Sequence, residues 1–131
     1  LGLTVLLVED SPVNLEVASG MLEALGGNVV TASDGTLGVE YALGRHFDVV
    51  LMDCQMPLMD GYEATRKIRA SESANGRSPV PIVAVTANAL PGDRERCLES
   101  GMDDHLTKPV QTQELYATIH RLLRLPPAAS S

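Results

Sequence analysis

The chain has too few basic residues to suit a phosphate-backbone partner. Ten Lys and Arg stand against seventeen Asp and Glu, a formal charge of −7 over 131 residues. Nucleic-acid binding needs a basic surface, so this balance argues against direct nucleic-acid contact. The densest basic group, Arg66, Lys67 and Arg69, reads as the solvated face of a helix. Cysteine is scarce: Cys54 and Cys97 are far apart and form no CxxC pair. They read as reduced thiols in a cytoplasmic setting, neither a disulfide framework nor a zinc site. No apolar run approaches the roughly 18 residues of a membrane span, and no signal peptide opens the chain. The expectation is a cytoplasmic domain that makes no membrane contact itself, with a membrane-anchored parent protein left open. An initiator methionine is missing at Leu1, no internal repeat occurs, and the chain ends Pro126-Pro127-Ala128-Ala129-Ser130-Ser131. Residues 1–125 are therefore expected to form one domain cut from a longer polypeptide, with 126–131 as a linker or disordered tail.

Strand-like and helix-like stretches alternate five times. Strand one is Leu3–Val8. Ser11 offers an N-cap and Pro12 a first helical position for a helix running to Leu25 and stopped by Gly26-Gly27. Strand two, Asn28–Ala32, closes at Ser33-Asp34-Gly35, and a short helix follows from Thr36 to Gly44. Strand three, Asp48–Met52, is apolar after its first residue, as a strand covered on both faces should be. The loop Cys54–Asp60 leads past Gly61 to a helix over Tyr62–Arg69. Ala70–Val80, rich in Ser, Asn, Gly and Pro, is expected to be the most mobile internal loop. Strand four is Pro81–Thr86, a weak helix covers Pro91–Ser100, and a very short strand lies near His105–Thr107. The last helix spans Thr112 to about Leu125, with Leu115, Ile119, Leu122 and Leu123 facing inward. Such alternation implies an α/β fold with a parallel sheet, which places ligands at the carboxyl ends of its strands.

On the first helix, at about 100° per residue, Val13, Leu15, Val17, Ala18, Met21, Leu22 and Leu25 form an apolar arc of roughly 200°. Packing on a sheet needs an arc only slightly wider than about 100°. The surplus edge, Leu15, Ala18 and Leu22, is read either as an exposed docking site or as part of a generously buried helix.

Glu9, Asp10, Asp53, Thr86 and Lys108 each follow directly on a strand-like run, so the sheet should bring them to one crevice. Three carboxylates near one point repel unless a cation neutralises them. Mg²⁺ takes oxygen ligands and keeps positions open for water and phosphate, and no His or thiolate joins the set to favour zinc. A carboxylate can itself be the nucleophile toward phosphorus. Asp53, single and central, is the best candidate, with Lys108 and the Thr86 hydroxyl placed to meet phosphoryl oxygens. The plain alternative is a salt bridge from Lys108 to Asp53. Asp34 should lie at the sheet edge, Asp103 and Asp104 read as a solvated pair, and His46 and His120 as surface or capping residues.

The segments VLLVEDSPVN, DVVLMDCQMPLMDGYEATRKIR, IVAVTANAL and GMDDHLTKPV, in this order from about Leu3 to Leu123, resemble the receiver domain of two-component response regulators. The resemblance implies a flavodoxin-like, doubly wound fold with strand order 2-1-3-4-5. It implies that Glu9, Asp10, Asp53 and the backbone carbonyl of Gln55 hold Mg²⁺, with Mn²⁺ a substitute, and that Asp53 is the phosphoacceptor. Thr86 and Lys108 take the family's hydroxyl and lysine roles, and Pro109 follows a cis Lys–Pro bond. Gln55 and Asn88 occupy the positions that tune phosphate lifetime. Such a domain catalyses its own phosphorylation from a phosphohistidine and its own slow dephosphorylation, and serves mainly as a signalling module. His105 departs from the family pattern, where Tyr or Phe acts as the switch. A pH-sensitive version or an inert histidine follows.

The wording of DCQMPLMDGYEATRKIR and GMDDHLTKPV resembles receivers fused to hybrid sensor histidine kinases. The resemblance implies two partners, a histidine kinase phosphodonor domain and a histidine phosphotransfer domain. The latter would dock on Asn14, Leu15, Ala18, Leu22, Pro109 and Val110. A stand-alone regulator is the near alternative. A haloacid-dehalogenase-type phosphatase is disfavoured because Gln55 stands where its second Asp would be, and no cap domain exists. A flavin-binding module is disfavoured because Glu9 and Asp10 would repel the phosphate.

Overall fold

A computed structural model of the chain describes residues 3–56, 59–87 and 92–123. Five strands alternate with five helices. They are β1 (Thr4–Val8), α1 (Pro12–Ala24), β2 (Asn28–Ala32), α2 (Gly35–Gly44), β3 (Val49–Asp53), α3 (Gly61–Ala74), β4 (Ile82–Thr86), α4 (Asp93–Ser100), β5 (Asp104–Thr107) and α5 (Thr112–Leu123). All neighbouring strands are parallel, in the order β2-β1-β3-β4-β5. This is the flavodoxin-like doubly wound order, and its direction reverses between β1 and β3, where such folds place their ligands.

Period-two alternation divides the core between the two faces of the sheet. Leu6, Val8, Val50, Met52, Ile82 and Ala84 point to one side with Ala42, Ala64, Ile68 and Cys97, so α2, α3 and α4 cover that face. Val5, Leu7, Val49, Leu51, Val83 and Val85 point to the other side with Leu22, Leu115 and Ile119 of α1 and α5. Every residue of β3 and β4 is buried, which is why these runs read as continuously apolar. Side-chain oxygens start three of the helices: Ser11 accepts from Asn14 N, Asp34 from Leu37 N and Asp60 from Glu63 N. Asp34 is thus a cap, which accounts for it without chemistry.

Helix α3 runs five residues past the predicted end at Arg69. Ser71, Ser73 and Asn75 are weak helix formers, but tertiary bonds hold the extra turn. Glu72 is buried and accepts from Arg69 Nη1 and Val80 N, both at 2.8 Å. Arg69 is accordingly not part of a solvated face: its side chain is 20% exposed and also reaches the Gly101 carbonyl at 2.8 Å and Asp103 at 2.9 Å. Asp103 and Asp104 are likewise engaged, Asp103 with Ile82 N and Asp104 with Arg121. His46 is exposed beside Asp48, whereas His120 departs from its surface reading. Its Nε2 is buried without a hydrogen-bond partner and its ring lies 4.0 Å from that of Tyr116.

Of the two readings of Leu15, Ala18 and Leu22 on α1, the structure bears out burial. Leu22 is 2% exposed in the core, and Leu15, Ala18, Met21 and Leu25 pack against the same cluster. Val13 and Val17 are the exposed residues, at 69% and 54%. Periodicity fixes the width of an apolar arc, while the inward edge depends on which residues the sheet can seat. Asn88 and the tail 126–131 lie outside the described residues.

Candidate functional site

The ends of β1 and β3 meet at the switch point. Glu9 is tied there by its backbone N–H to Ala32 O at 3.0 Å, and its side chain accepts from Ser11 N at 3.3 Å. Asp53 is the last residue of β3, and its Oδ1 accepts from Gln55 N at 3.1 Å. A ligand oxygen from each of Glu9, Asp10 and Asp53 lies within 4.8 Å of the others. Glu9 and Asp53 are buried, and Asp10 is exposed at the rim. Lys108 follows β5, held by its backbone N–H to Thr86 O at 2.7 Å, and a cis peptide bond joins it to Pro109. Its Nζ sits 2.9 Å from Glu9 Oε1 and 3.4 Å from Asp53 Oδ2. Thr86 ends β4 and is buried.

The five residues singled out in the sequence thus stand on four strand ends along one edge. Lys108 bridges two acids, where the sequence argued for one.

One ammonium does not balance three carboxylates. Burial pushes the Asp53 carboxyl up, and the neighbouring Glu9 raises it further, to about 7. For Glu9 burial also acts upward, but bonds to Asp53 and Lys108 outweigh it and leave its carboxyl below the usual range. Burial would lower Lys108, yet the two carboxylates more than offset this and hold its ammonium above its ordinary value. Glu9 and Asp53, shifted in opposite directions by their contact, titrate as a pair. Hard oxygen donors with excess negative charge suit a small divalent cation of the Mg²⁺ type. The adjacent Cys54 is no competitor. It is buried, its thiol is pushed up to about 12 by burial, and it is engaged with Tyr62 and Cys97.

Two hollows flank Asp53. One, of about 340 Å³, runs from Glu9, Asp53 and Lys108 between α1 and the start of α5, bordered by Asn14, Val17, Ala18, Pro109 and Val110. Of the six docking residues expected, Asn14, Ala18, Pro109 and Val110 line it. Leu15 and Leu22 do not, and Val17 and Met21 replace them. The other hollow, of about 310 Å³, is bordered by Gln55, Asp60, Tyr62, Thr86, Asp93 and Arg96. Arg96 stacks 4.2 Å above the Tyr62 ring. Arg96 sits in a run of four charges that hides it in the sequence. His105 pairs in register with Ala84, two residues upstream of Thr86, and its Nδ1 is 4.0 Å from Asp104 Oδ1.

Known proteins are similar to this chain in sequence and in fold. The family model for the response regulator receiver domain matches residues 5–120. The sensor protein GacS of Pseudomonas syringae is 46% identical over 111 residues, 85% of this chain and 12% of GacS. The sensor histidine kinase RcsC of Escherichia coli is 42% identical over 119 residues, 86% of this chain and 12% of RcsC. The chain therefore spans only about an eighth of these relatives. Among solved structures, the receiver domain of a Pseudomonas aeruginosa sensor histidine kinase carries magnesium in its active-site cleft. It is 48% identical with a TM-score of 0.84, covering 95% of this chain and 99% of that one. A Saccharomyces cerevisiae receiver domain, crystallised with a histidine phosphotransfer protein, is 32% identical with a TM-score of 0.86. That match covers 91% of this chain and 87% of that one. With the family model matched over most of its length and relatives above 40% identical, this chain belongs to the response regulator receiver domain family.

Proposed function

We propose that the chain is the phosphoacceptor module of a phosphorelay and that Asp53 is the residue phosphorylated. The observation that carries the reading is the convergence of Glu9, Asp10 and Asp53 within 4.8 Å, with Lys108 Nζ against two of them. In the transfer, a carboxylate oxygen of Asp53 forms a bond to phosphorus as the P–N bond of a phosphohistidine breaks. The imidazole leaves with the electron pair and takes up a proton. Asp53 must be ionised to attack, and Lys108 favours that state. The ammonium then meets the phosphoryl oxygens, and the Thr86 hydroxyl offers them a hydrogen bond. Mg²⁺, with Mn²⁺ a substitute, held by Glu9, Asp10, Asp53 and the Gln55 carbonyl, supplies charge neutralisation across the phosphoryl group.

Further parts of the reading rest on the relatives. The parent protein is a hybrid histidine kinase whose kinase domain is the phosphodonor, and a histidine phosphotransfer domain is the onward partner. The hollow beside α1 supports docking there, with Val17, Ala18, Asn14, Pro109 and Val110 as the contact residues. Gln55 and Asn88 tune the phosphate lifetime, and His105 takes the switch position. Both free cysteines are buried, which supports a reducing, cytoplasmic setting. Incubation with Mg²⁺ and acetyl phosphate should add one phosphoryl group by intact mass, mapped to Asp53 and lost in Asp53→Ala. A variant that still gains phosphate would refute the assignment of Asp53.

A further inference from the structure

Two glycines from different elements closely approach the chain after Asp53, Gly61 at Asp53 and Cys54 and Gly35 at Met59. A Cβ on Gly61 would lie 2.3 Å from the Asp53 carbonyl oxygen and 3.0 Å from Cys54 Cα. Gly61 N also donates to Cys54 O at 3.3 Å, so the chain returns directly over the acceptor's own backbone. In between, the Met56 side chain is buried in the core. Met59 lies against the start of α2. A Cβ on Gly35 would lie 2.6 Å from the Met59 carbonyl oxygen and 3.1 Å and 3.2 Å from its Cβ and Cγ.

Helix α2 is seated by the same face on the sheet. Gly38, one turn on, rests on β1, where a Cβ would lie 2.8 Å and 2.9 Å from the two Cγ atoms of Val8. The start of α2 is fixed further by Asp34 accepting from Leu37 N at 2.8 Å. A methyl group at Gly35 would press on Met59, and the first contact it meets is backbone, which no rotamer relieves. Gln55, four residues before Met59, donates its N–H to Asp53 Oδ1.

We propose that Gly35 is a positioning residue for the acceptor site. By letting α2 touch Met59, it holds the loop after Asp53 down so that Gln55 and Asp53 keep the geometry needed for Mg²⁺. Gly35 touches no carboxylate of the cluster and acts only through Met59. The inference rests on the reading of that cluster as a Mg²⁺ site.

Gly35→Ala tests it, because alanine is the better helix former and propensity alone would make the variant more stable. The measurements are Mg²⁺ affinity by calorimetric titration and the Gln55 amide resonance in metal-free protein. Gly101→Ala serves as the control, since Gly101 has φ +105° and touches Arg69 at the opposite edge of the sheet. Gly35→Ala should weaken Mg²⁺ binding about tenfold, the range seen when groups behind metal ligands are lost. It should also shift the Gln55 amide, while Gly101→Ala does neither. Met59→Ala loosens the same contact from the loop side at a partly buried position. It should move both readouts the same way by a smaller factor, and it decides the matter if Gly35→Ala does not fold. Affinity within twofold of wild type in the folded variants, or an equal loss in Gly101→Ala, would overturn the proposal. Failure of the wild-type chain to bind Mg²⁺ would instead sink the functional reading.

Discussion

Two clusters of charged side chains sit at opposite edges of the same sheet, and they are built to different rules. At the edge where β4 begins, Arg69 donates to Glu72, Asp103 and the Gly101 carbonyl. Both oxygens of Glu72 have donors, from Arg69 and Val80 N, and Asp103 Oδ2 receives Arg69 and Ile82 N. Donors and acceptors are matched, so the cluster pins α3, the end of α4 and β4 together. At the other edge, three carboxylates converge on one ammonium, and Asp53 is pushed up to about 7 by burial and Glu9. The first cluster is complete as folded. The second is left short of positive charge, and that deficit is what a divalent cation can fill.

The largest effect that would sharpen this contrast is at the complete cluster. Arg69→Ala strands the buried Glu72 carboxylate, whereas Asp103 is 42% exposed, and should cost about 3 kcal/mol in denaturant unfolding. The Mg²⁺ affinity of the folded protein should stay unchanged. A variant as stable as wild type would break the comparison. At the incomplete cluster, Lys108→Ala should slow phosphorylation by acetyl phosphate about a hundredfold, the usual cost of losing one preorganised donor. It should tighten Mg²⁺ binding, because Lys108 competes with the cation for Glu9 and Asp53. Weaker Mg²⁺ binding in a titration would contradict the account. Smallest is Val17→Ser. Exposed as it is, it should change stability by no more than about 0.5 kcal/mol and leave acetyl phosphate labelling intact. Transfer to a histidine phosphotransfer domain, followed by phosphate decay on the receiver, should slow severalfold.

Much of the incomplete cluster was legible because strand ends are legible. Short β-branched runs followed at once by Glu9-Asp10, Asp53, Thr86 and Lys108 placed all five residues on one edge, and the parallel sheet did the rest. The complete cluster was hidden. Arg69 looked like one of three solvated cations, and Glu72 fell in a stretch whose Ser, Asn and Gly signalled a loop. Only the three-dimensional contact between α3 and the chain before β4 reveals that Glu72 is buried. The facing of α1 stayed open in the sequence for a related reason, since Leu22 and Val17 are equally apolar and only the sheet distinguishes them. Gly35 and Gly61 were invisible as site residues, because close backbone approach leaves no mark in local sequence beyond the glycine itself.

The deficit of positive charge at Asp53 has a direct thermodynamic signature. Raised from an ordinary 3.8 to about 7, this carboxyl binds a proton more tightly folded than unfolded. Its contribution to stability is therefore full at low pH and lost as pH rises toward and through 7. Glu9, shifted down, acts below its ordinary 4.5, and Lys108, shifted up, acts only above its ordinary 10.5, so neither masks the window. Thermal unfolding between pH 5 and 8, with and without Mg²⁺, in wild type and Asp53→Asn, reads this balance. Metal-free wild type should lose stability across that range relative to Asp53→Asn, and Mg²⁺ should restore it strongly at pH 8 and weakly at pH 5. A melting temperature at pH 8 indifferent to Mg²⁺, or raised equally in Asp53→Asn, would contradict the claim that the cluster awaits a cation.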